Sequence, residues 1–182
     1  MVCRFFCCDG KIHKKRDGIK MEKCCFSLKN ESESLEFAVL VSKKLQQLDG
    51  FKKGLIIYLK GDLGAGKSFF SRAFIQNFLP GEKVKSPTYT IVESYNFSTN
   101  CIYHLDLYRL CDPEELEYLA IRDLFSSDFV ALIEWPQNGF PVLPASDIVF
   151  EFEYAEFGEQ QGRQVLVSAQ TAIGKSLLEQ LS

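Results

Sequence analysis

The sequence predicts a three-layer α/β fold: a mostly parallel central sheet between layers of helix, with antiparallel strands added late in the chain. Three observations predict it. Leu55–Leu59 and Phe129–Ile133 are unbroken apolar runs of strand length, as expected of strands buried on both faces. Segments of helical period alternate with such runs through the first two thirds of the chain. Asp147–Glu153 and Gln164–Ala169 then alternate around a glycine-bearing stretch, Gly158–Gly162, as a hairpin does. A chain of 182 residues, 46% hydrophobic and 13% aromatic, can bury a core of this kind and is not disordered, collagenous or coiled-coil. No apolar run reaches the ~20 residues of a membrane helix, so no membrane association is expected.

Taken in order, Cys24–Leu28 can form a short strand. Asn30 or Ser32 caps a helix over Ser34–Leu48, with Glu31, Glu33 and Glu36 placed where the helix dipole favours acids. Leu35, Ala38, Val39, Val41, Leu45 and Leu48 supply its apolar spacing, and Asp49-Gly50 stops it. The Leu55–Leu59 strand leads through a glycine-rich turn into a helix over Lys67–Leu79, ended by Pro80-Gly81. Two β-rich runs, Tyr89–Tyr95 and Cys101–Tyr108, flank a turn at 96–100. Asp112-Pro113 starts a helix running to about Phe125. The Phe129–Ile133 strand, the late hairpin and a helix over Ile173–Leu181 complete the order.

Charge is unevenly spread. The chain carries a net −3, yet its first 20 residues hold six Lys and Arg against two Asp. That segment shows no helical or strand period and lacks the apolar core of a secretory signal. It is expected to be a basic, disordered or non-native extension, with Met21 as an alternative start and a nucleic-acid arm as the other reading. Residues 21–182 are expected to form one domain. An acidic domain argues against wholesale wrapping of nucleic acid. The seven Cys are odd in number and lack paired CxxC or His at zinc spacing, so reduced thiols in a cytoplasmic protein are expected.

The strongest chemical signal is Gly61-Asp62-Leu63-Gly64-Ala65-Gly66-Lys67-Ser68, which fits GxxxxGK[ST] without a gap and joins a buried strand to a helix. A chance match in a chain of this length has a probability of roughly 0.006 from average residue frequencies. Its glycines let successive N–H groups face phosphate oxygens, and the helix that follows adds its positive end. Lys67 reaches the β- and γ-phosphates, and Ser68 suits Mg²⁺. The fold class sharpens to P-loop NTPase-like, with Phe69 counted among the nucleotide-binding residues. Such a loop needs an acid near the metal. Glu134, ending Phe129–Ile133, is placed where parallel strands present their C-terminal ends. Asp106 is the other candidate, or else an ion-pair partner of Arg109. Asn-Lys-x-Asp is absent and the chain has only six Arg, too few for a nucleotide-kinase lid, so ATP is the expected nucleotide.

Read together with that loop, Ser86–Tyr95 (SPTYTIVESY), Tyr103–Leu110 (YHLDLYRL), Asp112–Asp123 (DPEELEYLAIRD) and Ile133–Pro136 (IEWP) resemble the bacterial TsaE (YjeE) family. These are small P-loop ATPases of tRNA threonylcarbamoyladenosine synthesis, and the likeness runs from about Phe26 to the C-terminus in the same motif order. The resemblance implies an ATP-binding, slowly hydrolysing subunit that assists a TsaB–TsaD heterodimer in modifying the adenosine beside the anticodon. It makes Lys67, Thr88, Asp106 and Glu134 the catalytic set and Ser68 and Glu134 the Mg²⁺ ligands. Asp106 would orient the attacking water, and Ser86–Thr90 would be a switch loop in which Thr88 meets the γ-phosphate. Trp135, Glu31 and Arg163 match positions near nucleotide. Ser68 stands where relatives often have Thr. Ala120 replaces a common Gly, expected inside a helix and harmless there.

On the residues alone, the threonines of Ser86–Thr90 are equally ordinary strand-edge residues, and Trp135 is core. Pro87 disfavours helix at Ser86 and stiffens a loop. A nucleotide-gated binding module, for which hydrolysis is incidental, is the second function class. A small-molecule kinase is the third, with no acceptor site evident. Direct tRNA contact through Lys83, Lys85 or the basic extension stays open.

Overall fold

The computed structural model describes residues 23–125 and 128–182; the expectations for the first 20 residues lie outside them. Seven strands form one sheet: β1 (Lys23–Leu28), β2 (Leu55–Gly61), β3 (Val92–Phe97), β4 (Asn100–Asp106), β5 (Phe129–Glu134), β6 (Ile148–Phe157) and β7 (Gln160–Ala169). Their spatial order is β1-β7-β6-β2-β5-β4-β3. The inner four, β6, β2, β5 and β4, run parallel, and β7, β1 and β3 are antiparallel additions at the two sides. This is the predicted α/β architecture with a mostly parallel centre.

Strand alternation sends side chains to two cores. Leu55, Ile57 and Leu59 of β2 face one side, with α1 (Glu31–Gln47), α3 (Lys67–Phe78) and α6 (Ala172–Leu181). Ile56 and Tyr58 face the other, which is covered by Leu107, Leu116, Ile121 and Leu143 from short turns and loops. Asn30 caps α1, its Oδ1 accepting from Glu33 N at 3.0 Å, while Glu33 Oε2 accepts from Lys29 N at 2.8 Å. Phe37, Ala38, Val41 and Leu45 form the buried stripe of α1, whereas Leu35 is 46% exposed. Phe37 packs on Phe26 and Phe150, and Phe70 of α3 on Phe150 and Phe152. Each such ring contributes about 1.5–3 kcal/mol of burial. Together they form the floor under the turn from β2 to α3. A single turn, α2 (Gly50–Lys53), links α1 to β2.

Three elements differ from expectation. The Tyr89–Tyr95 run begins as a turn: Ile91 N donates to Pro87 O at 2.7 Å, and Ile91 takes a left-handed φ of 66°. Strand β3 therefore starts at Val92 and runs through the expected turn to pair Phe97 with Asn100, closing on Ser98-Thr99. The hairpin β6–β7 likewise closes on two residues, Gly158-Glu159, giving two ten-residue strands longer than periodicity suggested. The helix expected from 112 to 125 is instead two single turns, α4 (Glu115–Tyr118) and α5 (Ile121–Leu124), parted by Ala120 at a φ of 49°. Ala120 thus lies in a left-handed link rather than inside a helix. A residue with a Cβ is disfavoured there by about 1 kcal/mol, so a glycine, as the family resemblance implies at this position, would suit the link better.

Candidate functional site

β2 delivers the chain into the phosphate-loop segment at the C-terminal end of the sheet. Gly61 leaves the strand at a φ of +131°, where a Cβ would lie 2.3 Å from Phe152 O of the neighbouring β6. Only glycine fits that approach. Gly64 and Gly66 also hold positive φ, and α3 starts directly after them. Lys67, 4% exposed, turns back so that Nζ donates to Gly61 O at 2.7 Å and Asp62 O at 2.8 Å. It lies 4.1 Å from the centre of the Trp135 ring, a cation–π distance. Burial pulls the Lys67 pKa below the ordinary lysine value, against the opposing charges of Glu134, Asp106 and Asp62.

Adjacent parallel strands bring both candidate acids to this point, since Asp106 ends β4 in register with Glu134 at the end of β5. Glu134 is 1% exposed. Its Oε2 accepts from Ser68 Oγ at 2.8 Å; its Oε1 accepts from Ser71 Oγ at 3.4 Å and from His104 Nε2 at 2.8 Å. Asp106 faces the other loop. Its Oδ2 accepts from Ser86 Oγ at 2.7 Å and Thr88 Oγ1 at 2.9 Å, and its Oδ1 from Tyr108 N at 3.1 Å. The alternative of an Asp106–Arg109 ion pair does not hold, because the Arg109 guanidinium stacks 4.3 Å over the Tyr89 ring. The hydroxyls of Ser86 and Thr88 serve an acid rather than a strand edge.

Two clefts flank the phosphate loop. One, of about 440 Å³, is lined by Lys67, Ser68, Thr88, Asp106, Glu134 and Trp135. The other, of about 430 Å³, lies between the N-terminus of α1 and the β6–β7 hairpin and takes in Glu31, Phe70, Phe152 and Arg163. Gly64, Gly66 and Phe69 border both. The expected site residues therefore divide into two groups joined by the loop. Asp62 and Leu63 sit on its exposed outer turn, Leu63 at 68% exposure, and Ala65 is buried beneath it. Arg163 spends its donors on backbone: Nε on Ala65 O at 2.9 Å, Nη2 on Gly64 O at 3.2 Å and Nη1 on Gly162 O at 2.7 Å.

The donor set suits the ligands that the sequence implies. A hydroxyl and a carboxylate 2.8 Å apart are hard oxygen donors of the kind that Mg²⁺ takes. A glycine-lined turn against a helix N-terminus is a cradle for phosphate.

The family model described as "Threonylcarbamoyl adenosine biosynthesis protein TsaE" matches residues 28–178. The chain belongs to the TsaE family. The tRNA threonylcarbamoyladenosine biosynthesis protein TsaE of Haemophilus influenzae is 41% identical over 162 residues, 89% of this chain and 99% of that protein. The TsaE protein of Rickettsia felis is 40% identical over 112 residues, 60% and 61% of the two chains. The crystal structure of Bacillus subtilis YdiB shares the fold at a TM-score of 0.63 and 21% identity, covering 90% of this chain and 97% of that one. The family places the chain in tRNA threonylcarbamoyladenosine biosynthesis, on a P-loop fold whose general property is nucleotide binding.

Three partners in this TsaE-family site, His104, Ser71 and Tyr154, are not among the residues that the sequence singles out. His104, fully buried, holds the inner oxygen of Glu134. Its signal was available: it lies two residues before Asp106 on a strand, hence on the same face. Ser71 lies one helical turn after Lys67, a spacing that also carried the signal. Ser86 lies in the expected switch segment, where the resemblance favours Thr88 as the contact; both hydroxyls reach Asp106. Tyr154, whose OH donates to Leu63 O at 2.9 Å, carries no sequence signal at all. Among the described residues no helix is long and apolar enough to cross a membrane.

Proposed function

We propose that this chain binds ATP with Mg²⁺ across the two clefts and hydrolyses it slowly, as the cytoplasmic accessory ATPase of a TsaB–TsaD complex that threonylcarbamoylates tRNA. Residues 21–182 are taken as the unit carrying this activity. One observation supports the reading above others: Lys67, Ser68, Glu134 and Asp106 converge at the C-terminal ends of three parallel strands, within one cleft. Nucleoside is assigned to the side of Glu31 and Arg163, and the terminal phosphate to the side of Thr88 and Asp106.

Bound Mg²⁺ would supply charge neutralisation on the phosphate oxygens, held through Ser68 and Glu134. Lys67 would exchange its carbonyl partners for phosphate oxygens and balance charge developing on the transferring group. Asp106 would accept a proton or hydrogen bond from the attacking water, in a position fixed by Ser86, Thr88 and Tyr108 N. Arg109 lines the cleft of the two acids but stacks on Tyr89 instead of pairing with either of them, which fits slow turnover until a partner docks. Phosphate release by the purified chain, alone and with TsaB–TsaD, tests this directly. Stimulation by the pair is expected. ATP binding with no hydrolysis in either condition would refute the ATPase assignment.

A second reading has one observation in its favour. Asp106 is the acceptor for both switch hydroxyls, so a displaced Thr88 frees the loop whether or not phosphate is released. The chain would then be a nucleotide-gated docking module. Many rounds of tRNA modification sustained by a non-hydrolysable ATP analogue would select it.

A further inference from the structure

Three consecutive carbonyls of the phosphate loop are captured by the β6–β7 hairpin. Leu63 O accepts from Tyr154 OH at 2.9 Å, Gly64 O from Arg163 Nη2 at 3.2 Å, and Ala65 O from Arg163 Nε at 2.9 Å. Tyr154 and Arg163 are direct cross-strand partners in the hairpin register, and the guanidinium lies 4.3 Å over the Tyr154 ring. Behind Arg163, Nη1 is tied to Gly162 O, and Gly162 packs so closely on Leu28 O that a Cβ would lie 2.3 Å from it. The donors are therefore held from the back while they hold the loop from the front.

Peptide planarity turns this into a statement about phosphate. In a trans peptide the carbonyl and the following N–H point to opposite sides. Carbonyls of Leu63, Gly64 and Ala65 drawn toward the hairpin turn the amides of Gly64, Ala65 and Gly66 away from it. Ala65 N closes an internal turn to Asp62 O at 3.2 Å, within the loop. The glycines at positive φ allow this orientation; on their own they would allow others as readily. Something outside the loop must choose one.

We propose that Tyr154 and Arg163 are positioning residues: a hairpin bracket that sets the peptide orientation of the phosphate loop before nucleotide arrives. Arg163 then acts through the loop's carbonyls and not by direct contact with nucleotide, which revises the role that the family resemblance implies for it. The proposal rests on the ATP-binding reading and deepens it. Pre-organisation of this kind strengthens binding by removing the ordering cost from the binding step.

The test uses the full chain and two probes, ATP and inorganic tripolyphosphate, which has phosphates and no nucleoside. Calorimetric affinities are measured for the parent, Tyr154→Phe, Arg163→Lys and Arg163→Met, with amide hydrogen exchange at Gly64–Gly66 in the nucleotide-free proteins. Arg163→Met should weaken both probes by the same factor, about tenfold or more, as loss of charged hydrogen bonds implies. Tyr154→Phe should weaken both by about two- to fivefold, and Arg163→Lys, able to serve one carbonyl, should fall between. Loop amides should exchange faster in each variant while the melting temperature stays near that of the parent. A loss confined to ATP would overturn the proposal in favour of a nucleoside contact. Weakening of both probes with unchanged loop exchange would overturn it in favour of a direct phosphate contact, and unchanged affinities would make the bracket dispensable. Should the parent bind neither probe, the ATP-binding reading fails, and loop exchange in the free variants still decides whether the bracket exists.

Discussion

The two loops that meet at the cleft of Asp106 and Glu134 are held in opposite ways. The phosphate loop is tied through its own backbone: Lys67 takes the carbonyls of Gly61 and Asp62 on one side, and Tyr154 and Arg163 take the next three on the other. The Ser86–Thr90 loop sets the Ser86 and Thr88 hydroxyls on a single carboxylate, Asp106, and Thr90 Oγ1 on Glu93, and it is followed by Ile91, a β-branched residue in the left-handed region. Many backbone anchors make a loop that keeps one shape. Two side-chain bonds to one acid, beside a residue in a sparsely populated conformation, make a loop that can exchange partners. The two loops share one cleft and differ in where their hydrogen bonds are made, as the proposed roles of binder and sensor require.

The largest effect should come from the residue that serves the rigid loop and the phosphates together. Lys67→Met is expected to lower ATP hydrolysis by on the order of 10²–10³-fold and to end support of tRNA modification. Since burial disfavours the Lys67 charge, the same variant should melt no lower than the parent in the absence of nucleotide. A clear drop in melting temperature would mean that its carbonyl bonds outweigh that burial. Normal hydrolysis would remove the P-loop assignment itself.

Next come the acids. Glu134→Gln should cut hydrolysis by roughly 10²-fold or more while weakening ATP binding much less. Equal losses in both measurements would show that Glu134 contributes to the bound state as a whole and not to the reacting state. Asp106→Asn should slow hydrolysis by about 10²-fold and leave the Ser86 and Thr88 hydroxyls with an acceptor, so the loop keeps its place. Thr88→Val is the sharper probe of the comparison. It should reduce the preference for ATP over ADP by about tenfold, measured as a ratio of dissociation constants, with little change in ADP affinity. A preference that survives would show that the loop does not sense the terminal phosphate through Thr88. The smallest expected effect lies outside both loops. Ala120→Gly should raise stability by about 0.5–1 kcal/mol in urea unfolding, because the link between α4 and α5 is left-handed. Destabilisation would show that entropy lost by the freer unfolded chain dominates there.

What could be read from sequence is what short spacing encodes. Gly61–Ser68 announces itself locally, the buried β2 and β5 are plain as apolar runs, and Asp106 and Glu134 are visible as acids ending strands. The cap at Asn30 was one of two candidates because Ser32 offers the same oxygen two residues later. The Ile91 and Ala120 departures were hidden because neither side chain favours a positive φ; tertiary packing imposes it. The bracket was hidden for a different reason. Tyr154 and Arg163 reach the loop only through the exact pairing of β6 with β7, a register that alternation leaves weakly specified toward the hairpin's exposed tip.

The sheet order carries a consequence for synthesis. Among the described strands, β1 comes first in sequence and pairs with β7, the seventh, so roughly the whole described chain must emerge from the ribosome before β1 finds this neighbour. The same late strand brings Arg163 to the phosphate loop and closes the cleft that includes Glu31 near the start. Contacts this distant in sequence form slowly. A nascent chain that stops short of β7 therefore lacks both the pairing of β1 and the hairpin wall of the cleft beside Glu31, and that cleft is assembled only once β7 has been made.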